Sequence, residues 1–219
     1  MILDLGFVEY RKALALQKEF VARRRLGEVE DSCFMVEHPA VFTIGRTGKR
    51  ENLLVSESEL AIAGIEVIGV DRGGDITFHG PGQLLIYPII DLKGKAKDLH
   101  RYLRDLEELG LRILSGYAIR GQRIKEKTGI WVGKAKIASI GVAARDWVTY
   151  HGISINVNVD LRFFSMINPC GMKGIEVTSL GVLLNRDVAM REVKERALEH
   201  LKDVFGLKHD AHVQTTGLA

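Results

Sequence analysis

The stretch that most constrains how this chain can fold is a glycine-punctuated polar loop held between two apolar runs. It reads Arg72-Gly-Gly-Asp-Ile-Thr-Phe-His-Gly-Pro-Gly-Gln-Leu-Leu-Ile-Tyr-Pro-Ile-Ile-Asp91, and the alternating residues 65–70 precede it. Alternation at period two predicts a strand before the loop, and the continuous run over 83–90 predicts a buried strand after it. Pro88 cannot donate to a ladder, so that second strand lies at an edge or carries a bulge. The backbone must turn at Gly73-Gly74 and again at Gly80-Pro81-Gly82, where positive φ is cheap only for glycine. Between the turns, Ile76 and Phe78 point to one side and Thr77 and His79 to the other. A loop showing Arg72, Thr77 and His79 on one side, with bare amides nearby, suits a polar ligand. A plain hairpin corner would need none of those side chains.

Elsewhere helical and strand periods alternate. Residues 2–8 read as a strand, and Leu14, Leu16, Phe20 and Val21 mark the apolar side of a helix over 9–27 that Gly27 stops. Residues 31–37 form an apolar strand that buries Cys33. Ser56, three residues before Glu59, predicts a capping box for a short helix over 56–63. Leu99, Tyr102, Leu103, Leu106, Leu109 and Ile113 recur at helical spacing over 98–114. Residues 115–127 read as loop with room for a short strand, and 128–132 and 136–144 as a hairpin turning at Gly133-Lys134. Arg145-Asp146-Trp147 turns the chain into a third strand over 149–159, and a helix closes it over 187–205. No repeat or low-complexity linker interrupts this order. The expectation is one α+β domain spanning 1–219, with its core at about 5–205 and a tail at 206–219.

Composition excludes several classes. No run approaches the ~18 apolar residues of a membrane span, and Met-Ile-Leu-Asp-Leu-Gly-Phe at the start lacks a basic region before an apolar one. The expectation is a cytoplasmic protein with no membrane partner. A net charge of +3 argues against nucleic acid. Basic residues do cluster at 23–25, at Arg120, Arg123, Lys125 and Lys127, and at Lys134 with Lys136. Such clusters are solvated faces, or they steer acidic proteins towards a cleft. His100, His200, His209 and His212 fall among helical or tail residues and are expected at the surface. Two distant cysteines make neither a disulfide framework nor a zinc site, and no cluster has ligand spacing, so no metal is expected. Gly-x4-Gly-Lys-Ser/Thr and Gly-x-Gly-x-x-Gly are both absent, and no cofactor is expected.

Two residues stand out chemically. Cys170, between Pro169 and Gly171, lies in a loop where a substrate can reach it or where it is merely half-buried. Lys136 falls on a strand row with Ala138, Ile140 and Val142. A lysine there either snorkels from an edge or is held in a dry pocket.

Four stretches together resemble the lipoyl(octanoyl) transferases, which are related to lipoate- and biotin-protein ligases. They are Arg72-Gly-Gly-x-x-Thr-x-His79-Gly-Pro-Gly-Gln83-x-x-x-Tyr87, Glu37-His-Pro-x-Val-x-Thr-x-Gly-Arg46, Gly133-Lys-x-Lys136-Ile-Ala-Ser-Ile-Gly141 and Asn168-Pro-Cys170-Gly171. The resemblance runs over about residues 5–205 and implies the ligase-like α+β fold, a mixed sheet flanked by helices. It implies that Cys170 carries an acyl group as a thioester and that Lys136 beside it favours the thiolate. It implies an acyl-binding site at Arg72, Gly73, Gly74, Asp75, Ile76, Thr77, Phe78 and His79, at Ser139, Ile140 and Gly141, and at Gly152, Ile153 and Ser154. His151-Gly-Ile-Ser is one version of a variable tetrad there. The implied reaction moves an octanoyl or lipoyl group from acyl-carrier protein to a lysine of lipoyl domains, in lipoate biosynthesis. The implied acceptors are lipoyl domains of 2-oxoacid dehydrogenase complexes or the glycine cleavage H protein. Thioester exchange is nearly neutral in energy and thioester-to-amide transfer is downhill, so no ATP is needed. Lys136 or His79 would take the proton of the acceptor amine. Amides near Gly73, Gly74 and Gly141 would face the oxyanion. An ATP-dependent lipoate ligase and a non-catalytic acyl-binding module are the alternatives.

Overall fold

The apolar run that follows the glycine loop becomes the middle of the molecule. The structure, a computed structural model, describes residues 1–207. Ten strands form: β1 Ile2–Phe7, β2 Ser32–Glu37, β3 Val41–Ile44, β4 Glu66–Gly69, β5 Ile76–His79, β6 Gln83–Ile89, β7 Gln122–Ile124, β8 Lys127–Val132, β9 Ala135–Arg145 and β10 Val148–Asn156. Five α-helices accompany them: α1 Tyr10–Arg25, α2 Glu57–Ala63, α3 Leu99–Ser115, α4 Leu180–Leu184 and α5 Met190–Phe205. Seven strands make one sheet in the order β1-β2-β6-β10-β9-β8-β7, and β4-β3-β5 make a second. Only β1–β2 and β3–β4 run parallel, so both sheets are mixed.

Alternation along β6 builds two cores at once. Leu84 and Ile86 join Leu106, Leu109 and Ile113 of α3 and Val193, Ala197 and Leu201 of α5 on one face. Leu85 and Tyr87 join Ala13, Phe20 and Val21 of α1 on the other. The buried face of α1 thus runs through Tyr10, Ala13, Gln17, Phe20 and Val21, while Leu14 and Leu16 are only half-buried. The small sheet packs Phe42, Ile76 and Phe78 against Leu60, Phe164 and Ile167. Helix α2 buries only Leu60 and has seven residues, too few to persist alone. Its ends decide it: Ser56 and Glu59 form the expected capping box, and Gly64 closes the far end.

Pro88 does not lie at an edge. β6 is third in the sheet, and Pro88 pairs with Cys33 of β2 on one side. On the other side the ladder is interrupted without a bulge, because the register of Ile153 with Ile86 is the one that resumes at Val148 with Asp91. The register that pairs Ile153 with Ile86 would bring His151 opposite Pro88. There His151 takes φ +58° and its N–H donates to Gln17 Oε1 at 2.8 Å instead. The strand tolerates proline because its missing donor falls where the partner has turned away.

A second irregularity overturns the face assigned to Lys136. Ile130 pairs with Ala138 while Trp131 pairs with Lys136, which leaves Ile137 as an extra residue. Neighbours on β8 face opposite sides, so Lys136 and Ala138 do too. Lys136 therefore shares a face with Trp131, not with the row of Ala138, Ile140 and Val142 that packs towards α3 and α5.

At the C-terminal end, α4 occupies a stretch too short for a periodic signal, and α5 begins at Met190 rather than 187. Gly206 caps α5, and Leu207 is buried in the main core. The rest of the expected tail, with His209 and His212, lies outside the described residues. His100 is exposed as expected, whereas His200 is half-buried. Among the described residues no helix is long and apolar enough to cross a membrane, and no three His, Cys, Asp or Glu side chains gather as metal ligands.

Candidate active site

Cys170 stands at the tip of a single helical turn, Pro169–Gly171, with its own backbone in the left-handed region at φ +57°. A side chain there costs roughly 1–2 kcal/mol, so neighbours must hold it. The thiol is half-buried, and Lys136 Nζ lies 3.0 Å from Sγ. Lys136 itself is 2% exposed, which settles the two readings of this side chain in favour of the dry pocket. The stretch that follows Cys170 holds the lysine's backbone. Lys136 N–H donates to Glu176 O at 2.8 Å, and Thr178 N–H donates to Lys136 O at 2.9 Å. The ammonium also lies 5.5 Å from the centre of the Trp131 ring, a cation–π distance. Gly129 makes room for it. Its φ is +123°, and a Cβ there would come within 2.8 Å of Lys136 Cε.

Beside the pair opens a cleft of about 450 Å³, its mouth included. Arg72, Gly74, Asp75, Ile76, Thr77, His79, Ser139, Ile140, Gly141, Gly152, Ile153 and Ser154 line it together with Cys170. Three segments distant in sequence thus meet at one place. Two expected members do not line it. Phe78 is fully buried in the core of the small sheet, 5.3 Å from Phe42 and 4.6 Å from Phe163 between ring centres. The Gly73 amide donates to Val142 O at 2.8 Å and so is not free to meet an oxyanion. Tyr10, Leu85, Tyr87 and His151 also line the cleft. Tyr10 carried no sequence signal, being one aromatic at a helix start.

The polar residues of the loop form a directed chain of hydrogen bonds. Arg72 Nη2 donates to Thr43 Oγ1 at 2.8 Å, and that hydroxyl lies 3.4 Å from His79 Nε2. His79 Nδ1–H donates to Gln83 Oε1 at 2.7 Å, and Gln83 Nε2 donates to Asn156 Oδ1 at 2.9 Å. Asn156 Nδ2 ends the chain on Thr178 O at 2.9 Å. Backbone carbonyls at Phe78 and Thr178 fix both amide orientations, and these fix the His79 tautomer. Both His79 nitrogens are therefore engaged, and burial, above all other causes, pushes its pKa well below the usual value. Burial likewise lowers Arg72, while Tyr10, then Cys170, then Tyr87 and Asp75 pull it back up. The Thr77 hydroxyl, buried at the cleft wall, has no partner among the described residues.

A second group runs from the cleft wall at Tyr10, Tyr87 and His151 to His38. His38 Nδ1–H donates to Val8 O at 2.6 Å, which leaves Nε2 to accept from the Tyr87 hydroxyl at 2.9 Å. Burial lowers His38 to about 4. His151 Nε2 meets Asp71 Oδ1 at 2.9 Å, and its Nδ1 lies 3.4 Å from the Tyr10 hydroxyl. Of the basic cluster at 120–127, Arg123 is tied to Glu107 and Glu108, and Lys127 lies 5.6 Å from the same Trp131 ring that Lys136 faces.

The fold is that of the lipoate- and biotin-protein ligases. A lipoate-protein ligase A bound with ATP superposes at a TM-score of 0.77, with 17% identity over 95% of this chain and 87% of that one. A biotin protein ligase from Aquifex aeolicus gives 0.53, with 12% identity over 94% and 68%. Within this fold the sequence is more specific. The model of the lipoyl protein ligase A/B catalytic domain matches residues 9–202, and the chain belongs to that family. An octanoyltransferase of Syntrophobacter fumaroxidans is 43% identical, covering 93% of this chain and 90% of the relative. One from Geobacter metallireducens is 46% identical, covering 89% and 88%.

Proposed function

We infer that this protein is an acyltransferase that moves an octanoyl group onto lipoyl-domain lysines in lipoate biosynthesis, in keeping with its 41–46% identical relatives, which are named octanoyltransferases. The observation that carries the chemistry is Lys136 Nζ at 3.0 Å from Cys170 Sγ at the edge of an apolar cleft. A free thiol ionises near pH ~8.5, and an adjacent ammonium favours the anion. The thiolate attacks the thioester carbonyl of the donor, forming an S–C bond as the donor's sulfur leaves and takes up a proton from Lys136. The acceptor amine then attacks the Cys170 thioester, passes its proton to the now neutral Lys136, and releases the Cys170 thiolate. Atoms and charge balance without a nucleotide. His79 is the poorer base for the second step, because both its ring nitrogens already hold partners.

Ile76, Leu85, Ile140 and Ile153 offer apolar wall for the hydrocarbon chain, and the unpartnered Thr77 hydroxyl is placed for a carbonyl. The donor is an acyl-carrier protein thioester. The acceptors are lipoyl domains of 2-oxoacid dehydrogenase complexes or the glycine cleavage H protein. Exposed Arg120, Lys125 and Lys127 suit the acidic surfaces such partners would bring. The test is intact-mass analysis after mixing with octanoyl carrier protein and no ATP. One octanoyl group should appear on Cys170 and then pass to added lipoyl domain. Transfer that requires ATP would favour a ligase, and acyl binding without turnover would favour a carrier module.

A further inference from the structure

Asp75 falls in the segment expected to bind the acyl group, yet its carboxylate is spent on the protein. Oδ1 accepts from Lys49 N–H at 3.1 Å and from Ile76 N–H at 2.6 Å. Oδ2 accepts from Asn52 Nδ2 at 2.7 Å. Asn52 carried no sequence signal: it ends a short turn, Arg50–Asn52, outside every motif, and is 9% exposed. Its other groups reach the nucleophile's loop. Asn52 O accepts from Asn168 N–H at 2.7 Å, and Asn52 Oδ1 from Asn168 Nδ2 at 3.3 Å. On the far side of Cys170, Gly171 presses on the same pair. A Cβ at Gly171 would meet Asp75 Oδ2 at 2.7 Å and Asn52 Nδ2 at 3.4 Å. Gly171 N–H closes the turn on Asn168 O at 2.9 Å.

We propose that Asn52 and Asp75 form a clamp that positions Cys170 against Lys136, and that Asp75 acts on this loop rather than on the substrate. This rests on the reading of Cys170 as the nucleophile. Asn168, two positions before Cys170, and Gly171, one after it, both bear on the clamp, and Cys170 between them holds a left-handed backbone that relaxes unless its surroundings oppose it. A bare carboxylate near a thiolate would disfavour the anion. Three donors on Asp75 disperse that charge while keeping its shape. Lys136 reaches Cys170 from β9, its backbone anchored through Glu176 and Thr178, so the 3.0 Å contact depends on two sets of supports. A shift of about 1 Å in a reacting group costs on the order of 10²-fold in rate.

The experiment exchanges the two partners in the full chain. Asn52→Asp sets carboxylate against carboxylate. It should lower kcat by about 10²-fold with little change in KM for the octanoyl donor, and slow Cys170 alkylation at pH 7. The double variant Asn52→Asp/Asp75→Asn restores an N–H···O pair with its direction reversed. The carboxylate at 52 still accepts from Asn168. It should recover kcat and the alkylation rate to within about tenfold of wild type, since one lost placement is undone. A substrate-binding Asp75 predicts the reverse, a raised KM in Asp75→Asn and no recovery in the double variant, and that result overturns the proposal. Asn52→Ala guards against a variant that fails to fold, because its backbone carbonyl still holds Asn168. Wild-type kcat and alkylation in that variant also overturn the clamp. Cys170→Ser run alongside separates the two readings: if it keeps full turnover, the nucleophile assignment has failed rather than the clamp alone.

Discussion

Cys33 lies in β2 with no exposed surface, pressed between sealed strands, whereas Cys170 rides a left-handed turn with an ammonium 3.0 Å from its sulfur. Burial pushes the Cys33 thiol far up, out of reach of ordinary pH. Lys136 Nζ is within hydrogen-bond distance of the Cys170 thiol, and Arg72 and the clamped Asp75 line the same cleft as Cys170. The residue type is the same in both places. Its reactivity is set by whether regular structure encloses it or a strained loop presents it.

The most direct way to break this contrast is Cys170→Ser. It should abolish both the octanoyl adduct and transfer, since a hydroxyl is a poor nucleophile without a strong base. The contrast is falsified if the adduct maps to Cys33 or turnover persists. Lys136→Ala should come next, with turnover reduced about 10²–10⁴-fold and alkylation of Cys170 at pH 7 slowed. An unchanged alkylation rate would show that the ammonium does not act on the thiol.

Buried histidines beside the cleft sharpen the comparison through pH. His38 ionises at about 4 when folded, against 6.5 when unfolded. The unfolded chain therefore binds the proton first, and stability is whole above pH 6.5 and lost as pH falls towards 4. At about 1.4 kcal/mol per pH unit this one group removes about 3 kcal/mol over that window. Burial lowers His79 and His151 too, so they steepen the slope. Urea unfolding at pH 7 and pH 4.5 should show the loss, and His38→Gln should flatten it. Equal flattening by His100→Gln, at an exposed site, would refute the assignment.

The smallest effect on catalysis belongs to Cys33→Ser. A hydroxyl sealed in that strand should cost about 1–3 kcal/mol in stability and leave turnover at 25 °C unchanged. A matching loss of rate and of melting temperature would mean that the two regions are coupled.

Much of the site was legible because it is written in local grammar. The Gly-Gly and Gly-Pro-Gly turns, the alternation at Ile76, Thr77, Phe78 and His79, and Cys170 between Pro and Gly each declare themselves within a few residues. The elements α1, α2, α3 and β8–β10 follow from period and caps. The misreadings share a cause. Pro88 was placed by its own chemistry, yet what admits it to a central strand is the turn of His151 on another strand. Lys136 was assigned a face by strict alternation, and one inserted residue, Ile137, reversed it. Gly73 looked like a free amide until Val142 supplied its acceptor.

The sequence by itself determined the long helices, most of the strands and the turns between them, which cysteine lies in a loop, and that the chain resembles acyl-transferring relatives. Those properties depend on neighbours within a turn or a pleat. Only the tertiary structure decided that Lys136 Nζ lies 3.0 Å from Cys170 Sγ, reaching it from the face opposite Ala138, that His79 is a braced link rather than a free base, and that Asn52 and Asp75 bear on the loop of Cys170. Each depends on a side-chain contact between residues 34, 4 and 23 positions apart, held in place by backbone groups such as Glu176 O for Lys136, Phe78 O for Gln83 and Lys49 N–H for Asp75. Backbone donors and acceptors are the same at every residue, so no side-chain pattern could announce where they would be spent.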